Sequence, residues 1–394
     1  MRLVTDSERR ARLALRQRLA PGAKAPDALT AADAVVCLHA TDPATIALSA
    51  WARVDGFRTE DLDDALYQRR SLVKHLSMRR TLFVFPRATL PAAQAAASER
   101  VAATERKRLI GDVERAGLHA DGAAWLERAC DAVRAELAGG RTAMMAELRR
   151  DLPLLEGGIA YGEGRSWGAT VPVGPRVLTV LSAGGEIVRA TNAGGWSVSR
   201  PRWAAMQQWL GEPIERLSLA DGTAALVRRW LHAFGPGTER DVKWWLGSTL
   251  RAVRTALSDL EAVAVELEGG GRGWLLPDDL DPIEPPAPWA ALLPPLDPTT
   301  MGWQERAFYL GDYRPQLFDT AGNGGATAWW DGRIVGGWRQ RDDGSVELQY
   351  LEDPGAAGRA ALAAEAERLS DWFGGVRVLG RFPSPLSRQL ANAG

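Results

Sequence analysis

One supersecondary pattern recurs three times along the chain: a helix, a short helix, a second helix, then two strand-like runs joined by a turn. That is the plan of a winged helix, a helix-turn-helix relative with a β-hairpin wing. In the first copy Thr30 is placed to cap a helix whose third position is Asp33, and that helix reads through AADAVVCLHA. It must end near Thr41, because Pro43 pushes Asp42 out of the α region. Asp42 then caps PATIALSAWARV, which stops at Asp55-Gly56, and Thr59 caps EDLDDALYQ. SLVKHLSMR and TLFVFP follow as the two strands of the wing.

The second copy starts at Thr142 with AMMAELRRDL, passes a loop holding Gly162, Gly164 and Gly168, and continues in the helix GPRVLTVLSAGG. Its wing is EIVRAT, a turn at Asn192–Gly195, and WSVSRPRW. In the third copy TAALVRRWLHAF is closed by Gly235-Pro236-Gly237. Thr238 caps ERDVKWWL, Ser248 caps TLRAVRTALSDL, and AVAVELE, GGGRG and WLLP make the wing.

Two longer amphipathic helices, Ala92–Arg115 and Ala123–Leu137, lie between the first two copies as braces. A proline-rich linker, Pro282 to Pro298, leads to ATAWWDGRIVGGWRQR and SVELQYLED, which alternate like strands of a small antiparallel sheet. The helix AAGRAALAAEAERLSDWF and a short strand, VRVLG, close the chain. The expected fold is α+β: three tandem winged-helix units (1–90, 141–215 and 216–281), bracing helices (91–140), and a C-terminal α+β domain with a β-hairpin (282–394).

Composition narrows the setting. No run of about 20 apolar residues appears, so no membrane span is expected. The first residues form a charged amphipathic helix without the apolar stretch of a signal peptide. Cys37 and Cys130 lack CxxC spacing and read as small buried hydrophobes in a reducing bacterial cytoplasm. No zinc spacing, phosphate loop, dinucleotide fingerprint or GxSxG elbow occurs, so neither a metal nor a nucleotide cofactor is expected.

The net charge is −1, so function classes are not separated by total charge. The kind of cation is more telling: Lys24, Lys74, Lys107 and Lys243 are the only lysines among 48 basic residues. Arginine suits bidentate phosphate contacts, although a bias towards Arg also follows from a GC-rich genome. Local placement therefore matters. His75, Arg79 and Arg80 sit in the first wing, Arg251 and Arg254 on the last helix of the third unit, and Arg333, Arg339 and Arg341 on the C-terminal hairpin. These eight are the candidates for contact with double-stranded DNA, with solvated surface as the bland alternative. The paired tryptophans, Trp244-Trp245 and Trp329-Trp330, read as core.

Several stretches are familiar: LHATDPATIALSAWARV, RSLVKHLSMRRTLFVFPR, RRWLHAFGPGTERDVKWWLG, LLPPLDPTTMGWQERAFYLG, LFDTAGNGGATAWWDGRIVGGW and YLED. Through them the chain resembles the winged-helix DNA-binding family that includes the azinomycin-resistance type of alkylpurine DNA glycosylase. The resemblance implies a metal-free enzyme that removes bulky alkylated purines from duplex DNA, and a monomer is expected. Active relatives carry Gln-x-Gln or Gln-x-Asp just before an Asp-Pro. Here His39-Ala40-Thr41 stands in that place, before Asp42-Pro43. The resemblance makes His39, Thr41 and Asp42 the catalytic candidates. A histidine with its ordinary pKa could orient or deprotonate a water, and the Thr41 hydroxyl could hold it. If the loss of both glutamines removes the chemistry, a non-catalytic regulator or lesion binder remains. A protein-interaction scaffold is the weaker third reading.

Overall fold

Each of the three expected hairpins forms, and each gains a short third strand from elsewhere in the chain. The computed structural model describes residues 1–162, 168–378, 380 and 382–393. In the first sheet Leu72–Ser77 pairs antiparallel with Thr81–Pro86, in register Val73↔Phe85, His75↔Phe83 and Ser77↔Thr81. Leu38–His39 pairs with the other edge of Thr81–Pro86. In the second sheet Ile187–Asn192, Pro201–Ala205 and Ala143–Met144 associate. In the third, Leu3–Val4 lies parallel to Val263–Leu267, which pairs antiparallel with Arg272–Leu275. A separate hairpin joins Gly158–Tyr161 to Ala169–Pro172, and the loop residue Gly164 lies outside the described residues. The last sheet is antiparallel, in the order Ala290–Leu293, Thr327–Trp330, Arg333–Gln340, Val346–Tyr350. The fold is thus a mixed α/β one with small sheets.

Several local expectations are corrected. The first helix is Ala28–Ala34, capped by Asp27 rather than Thr30: Asp27 Oδ1 accepts from Thr30 N at 2.7 Å. It stops at Val35, and Val36 takes a left-handed φ of 68°. The run Val35–Leu38 is wholly buried, and its end pairs as a strand instead of extending the helix to His39. β-branched residues in a buried run favour that outcome. Arg58, without a side-chain cap bond, precedes Thr59–Asp63, and Thr249 rather than Ser248 caps Leu250–Asp259. The first helix of the second copy begins at Met145 rather than Ala143, because Ala143–Met144 is a strand. Residues 376–378 are not a strand, and Leu379 of the expected VRVLG strand lies outside the described residues; the helix Pro385–Ala393 ends the chain.

Burial organises the parts. One core cluster runs from Leu13 to Leu386 and takes in the first hairpin, the helix Leu219–Phe234 and the C-terminal sheet. A second, from Leu109 to Trp203, joins the bracing helices to the Val173–Ala183 helix. No described helix is long and apolar enough to cross a membrane.

Candidate active site

The stretch 38–43 changes conformation twice in six residues. Leu38 and His39 are strand, held opposite Val84 and Phe83, and Ala40 N still donates to Leu82 O at 2.9 Å. The ladder then breaks. Pro43 has no N–H to give a sheet and has the φ of a first helical turn, so Pro43–Trp51 starts at once. Asp42 is its N-cap, with Oδ1 accepting from Ala44 N at 3.2 Å. His39 and Asp42 are both buried, 8% and 3% exposed, whereas Thr41 between them is exposed.

His39 is held as a neutral ring. It packs edge-on to Phe83, with centroids 5.3 Å apart. Its Nδ1 accepts a long hydrogen bond, 3.4 Å, from Thr41 N, which leaves the imidazole proton on Nε2. Burial first, and the charge of Arg79 second, push its pKa down from 6.5 to about 3, against a pull from Asp297. An imidazole this hard to protonate orients a water by hydrogen bonding. It is a weaker base than an imidazole with its ordinary pKa. It is the backbone N–H of Thr41, not its hydroxyl, that meets the His39 ring, because the strand ends between them.

The Pro43–Trp51 helix is pinned from behind. Arg53 and Asp297 form a fully buried, bidentate pair, with N···O distances of 2.9 and 2.8 Å. Ser49 Oγ and Thr299 N also donate to Asp297, at 2.6 and 2.9 Å, and Thr45 Oγ1 donates to Pro295 O. These bonds fix the helix against the Pro295–Thr299 segment, and so fix Asp42 against the C-terminal sheet. Asp42 lines a cavity of about 440 Å³ there, walled by Leu48, Trp338 and Phe373 with Arg339 at hand. That volume is in the range of sites that hold small organic groups.

The eight DNA-contact candidates fare differently. His75 is fully buried, and burial pushes its pKa down to about 4, so it cannot reach a phosphate; it belongs to the core beside Gln94. Most of the arginines already have acidic partners. Arg80 pairs with Glu105, Arg254 with Glu239, Arg333 with Glu352, and both Arg339 and Arg341 with Glu347. Arg251 is exposed with no ion pair among the described residues. Arg79 is also unpaired among them, and its guanidinium packs over Trp244, 4.1 Å from the ring centroid. Trp245 is core as expected, but Trp244 is only half-buried. Sequence reasoning passed over Arg306 and Arg314, although Arg306 lies inside the quoted stretch LLPPLDPTTMGWQERAFYLG.

Comparison with known proteins accords with this geometry. A sequence model of the family described as "DNA glycosylase AlkZ-like" matches residues 32–372. The solved structure of Streptomyces sahachiroi DNA glycosylase AlkZ superposes with a TM-score of 0.73, over 97% of this chain and 99% of that one, at 19% identity. At that identity the likeness speaks for the fold. A search of curated proteins returns no match.

Proposed function

Because this chain belongs to the AlkZ-like DNA glycosylase family, we propose that it is a monofunctional glycosylase acting on bulky or cationic N-alkylated purines in duplex DNA. Three features support a winged-helix reading of residues 1–90, 141–215 and 216–281, braced by 91–140 and followed by a C-terminal domain at 282–394. Each unit has its hairpin, each hairpin has a third short strand, and helices precede each one.

The chemistry needs little from the protein. An N7- or N3-alkylated purine carries positive charge, so the bond from C1′ to the base breaks with both electrons leaving on the base. The sugar becomes oxocarbenium-like. Water oxygen then bonds to C1′ and gives up a proton. In our reading the Asp42 carboxylate stabilises the positive sugar, and it is the acceptor for that proton. His39 Nε2–H donates to the water and orients it, much as a glutamine amide does. The exposed Thr41 hydroxyl holds the same water. The cavity beside Asp42 receives the departing base with its substituent.

The observation that carries this reading is the neutral His39 ring fixed two residues before the exposed Thr41 and three before the buried Asp42. The test is single-turnover incubation with duplexes bearing N7-alkylguanine or a bulky adduct, scored for abasic sites. Wild type should excise at least one adduct, and His39→Ala should be slower by about 10–1000-fold at unchanged duplex affinity. No excision from any adduct would favour a non-catalytic lesion binder, and equal rates would remove His39 from the mechanism.

A further inference from the structure

Three arginines and two aromatic rings alternate in a ladder that joins distant parts of the chain. The Arg79 guanidinium lies 4.1 Å from the Trp244 ring centroid. That of Arg306 lies 5.1 Å from the same ring and 4.7 Å from Phe318, and that of Arg314 lies 5.6 Å from Phe318. Arg79 comes from the tip of the first hairpin, Trp244 from the helix Glu239–Leu246, and the rest from the C-terminal domain. Stacking against a ring holds a guanidinium plane in place and leaves its N–H fork for other partners.

The charges in this ladder are unmatched. None of the three arginines forms an ion pair among the described residues, whereas Arg80, Arg254, Arg333, Arg339 and Arg341 all do. Arg306 is almost wholly buried; one terminal nitrogen donates to Thr300 O, and its Nε has no partner. The acid facing it is Asp241, which is occupied by the backbone N–H groups of Gln304, Glu305 and Thr238. Packing of its guanidinium against Trp244, which buries that end although the residue keeps surface open to solvent, and then the like charge of Arg306 push Arg79 down to about 10, so it remains cationic but repelled. Arg79 and Arg314, at the two ends, are exposed. Like charges brought together without a counterion are stabilised by an anion. A row of them suits a polyanion better than a single small ion.

We propose that this ladder seats the phosphodiester backbone of one DNA strand beside the lesion, with Arg79 and Arg314 touching phosphates of that strand and Arg306 as the buried charge between them. Arg79 stands just before the strand Thr81–Pro86, whose Phe83 pairs with His39, so a strand held here would lie beside the candidate active site. The proposal rests on the part of that reading in which DNA is bound, not on excision or on which base is excised.

Its test is therefore a binding measurement that needs no excision. The probe is a duplex with one tetrahydrofuran abasic-site analogue, titrated at several salt concentrations. Arg79→Gln and Arg314→Gln should each lower affinity and reduce the log–log salt slope by about 0.9. Arg254→Gln, whose partner is Glu239, should change the slope far less. Single methylphosphonate linkages, scanned along each strand, should weaken wild type at one position where Arg79→Gln is already insensitive. Both exposed variants keep Arg306, so the test does not depend on a core substitution folding. Slopes equal to wild type in both variants would overturn the proposal, as would a methylphosphonate loss that is the same at every position. Coupled binding without excision would leave the seat intact and remove the substrate reading; excision with unchanged slopes would do the reverse.

Discussion

A histidine that resists protonation acts through its hydrogen bonds alone. With a His39 pKa near 3, its charge does not change across the neutral range. The single-turnover excision rate should therefore be flat from about pH 5 to pH 8. A rate that falls with an apparent pKa near 6.5 would show an ordinary imidazole working as base. His39→Gln should retain most activity, since an amide can donate to the same water. Stability carries the opposite signature. The folded-state pKa values of His39 and His75, about 3 and about 4, both lie below the unfolded value. The unfolded chain therefore takes up protons first, and stability that is complete above about pH 6.5 is lost as pH falls towards 3–4. The melting temperature should drop between pH 7 and pH 4.5, and less so in His75→Gln; an equal drop would show that His75 is not the group responsible. Asp42 separates cap from chemistry. Asp42→Asn keeps an N-cap while excision is lost, whereas Asp42→Ala should in addition lose the cap, at about 1 kcal/mol. The cap was legible because Pro43 follows it. The strand carrying His39 was not, because Val35–Leu38 continues the apolar pattern of a helix. Nor was the acid partner of each arginine, since Arg80 meets Glu105 and Arg254 meets Glu239 only through the fold.

Two neighbouring arginines at one hairpin tip should behave as opposites. Arg79 and Arg80 both hold left-handed φ values, 54° and 59°, which cost a side-chain-bearing residue about 1 kcal/mol or more each. Arg80 uses that conformation only for an ion pair with Glu105, on a side chain about half exposed. Such a pair is worth about 0–1 kcal/mol. Arg80→Asn, which tolerates the left-handed region, should keep or raise the melting temperature and leave duplex affinity unchanged. A tenfold loss of affinity in Arg80→Asn would show that Glu105 releases Arg80 to DNA. The hairpins themselves were readable from β-branched and aromatic runs such as TLFVFP. Their third strands were not: Ala143–Met144 and Leu3–Val4 are two residues each, too short for any period to show.

Across the whole molecule the two main cores do not coincide with the three repeats. The cluster at Leu109–Trp203 is built from the bracing helices and the second repeat, while the first repeat, the third and the C-terminal sheet share the other. Calorimetry should resolve two transitions, and amides such as Val177 and Leu178 should exchange by an opening that leaves Trp230 and Trp329 protected. One coincident transition by heat and by exchange would mean that the smaller cluster at Val73 and Val188 couples them fully. The hairpins were visible in the chain, but the shared core of residues 1–90 and 216–281 was not, because it joins residues about 200 positions apart in sequence. The strand Leu3–Val4 has a temporal consequence. Glu266 N donates to Arg2 O at 2.8 Å and Glu268 N to Val4 O at 3.1 Å, so Leu3–Val4 finds its partner only when the third hairpin emerges from the ribosome. At about 5–20 residues per second that wait is roughly 13–50 s. For that interval Leu3–Val4 is an unpaired strand, open to chaperones and proteases, and its edge of the third sheet closes only once Val263–Leu267 has been made.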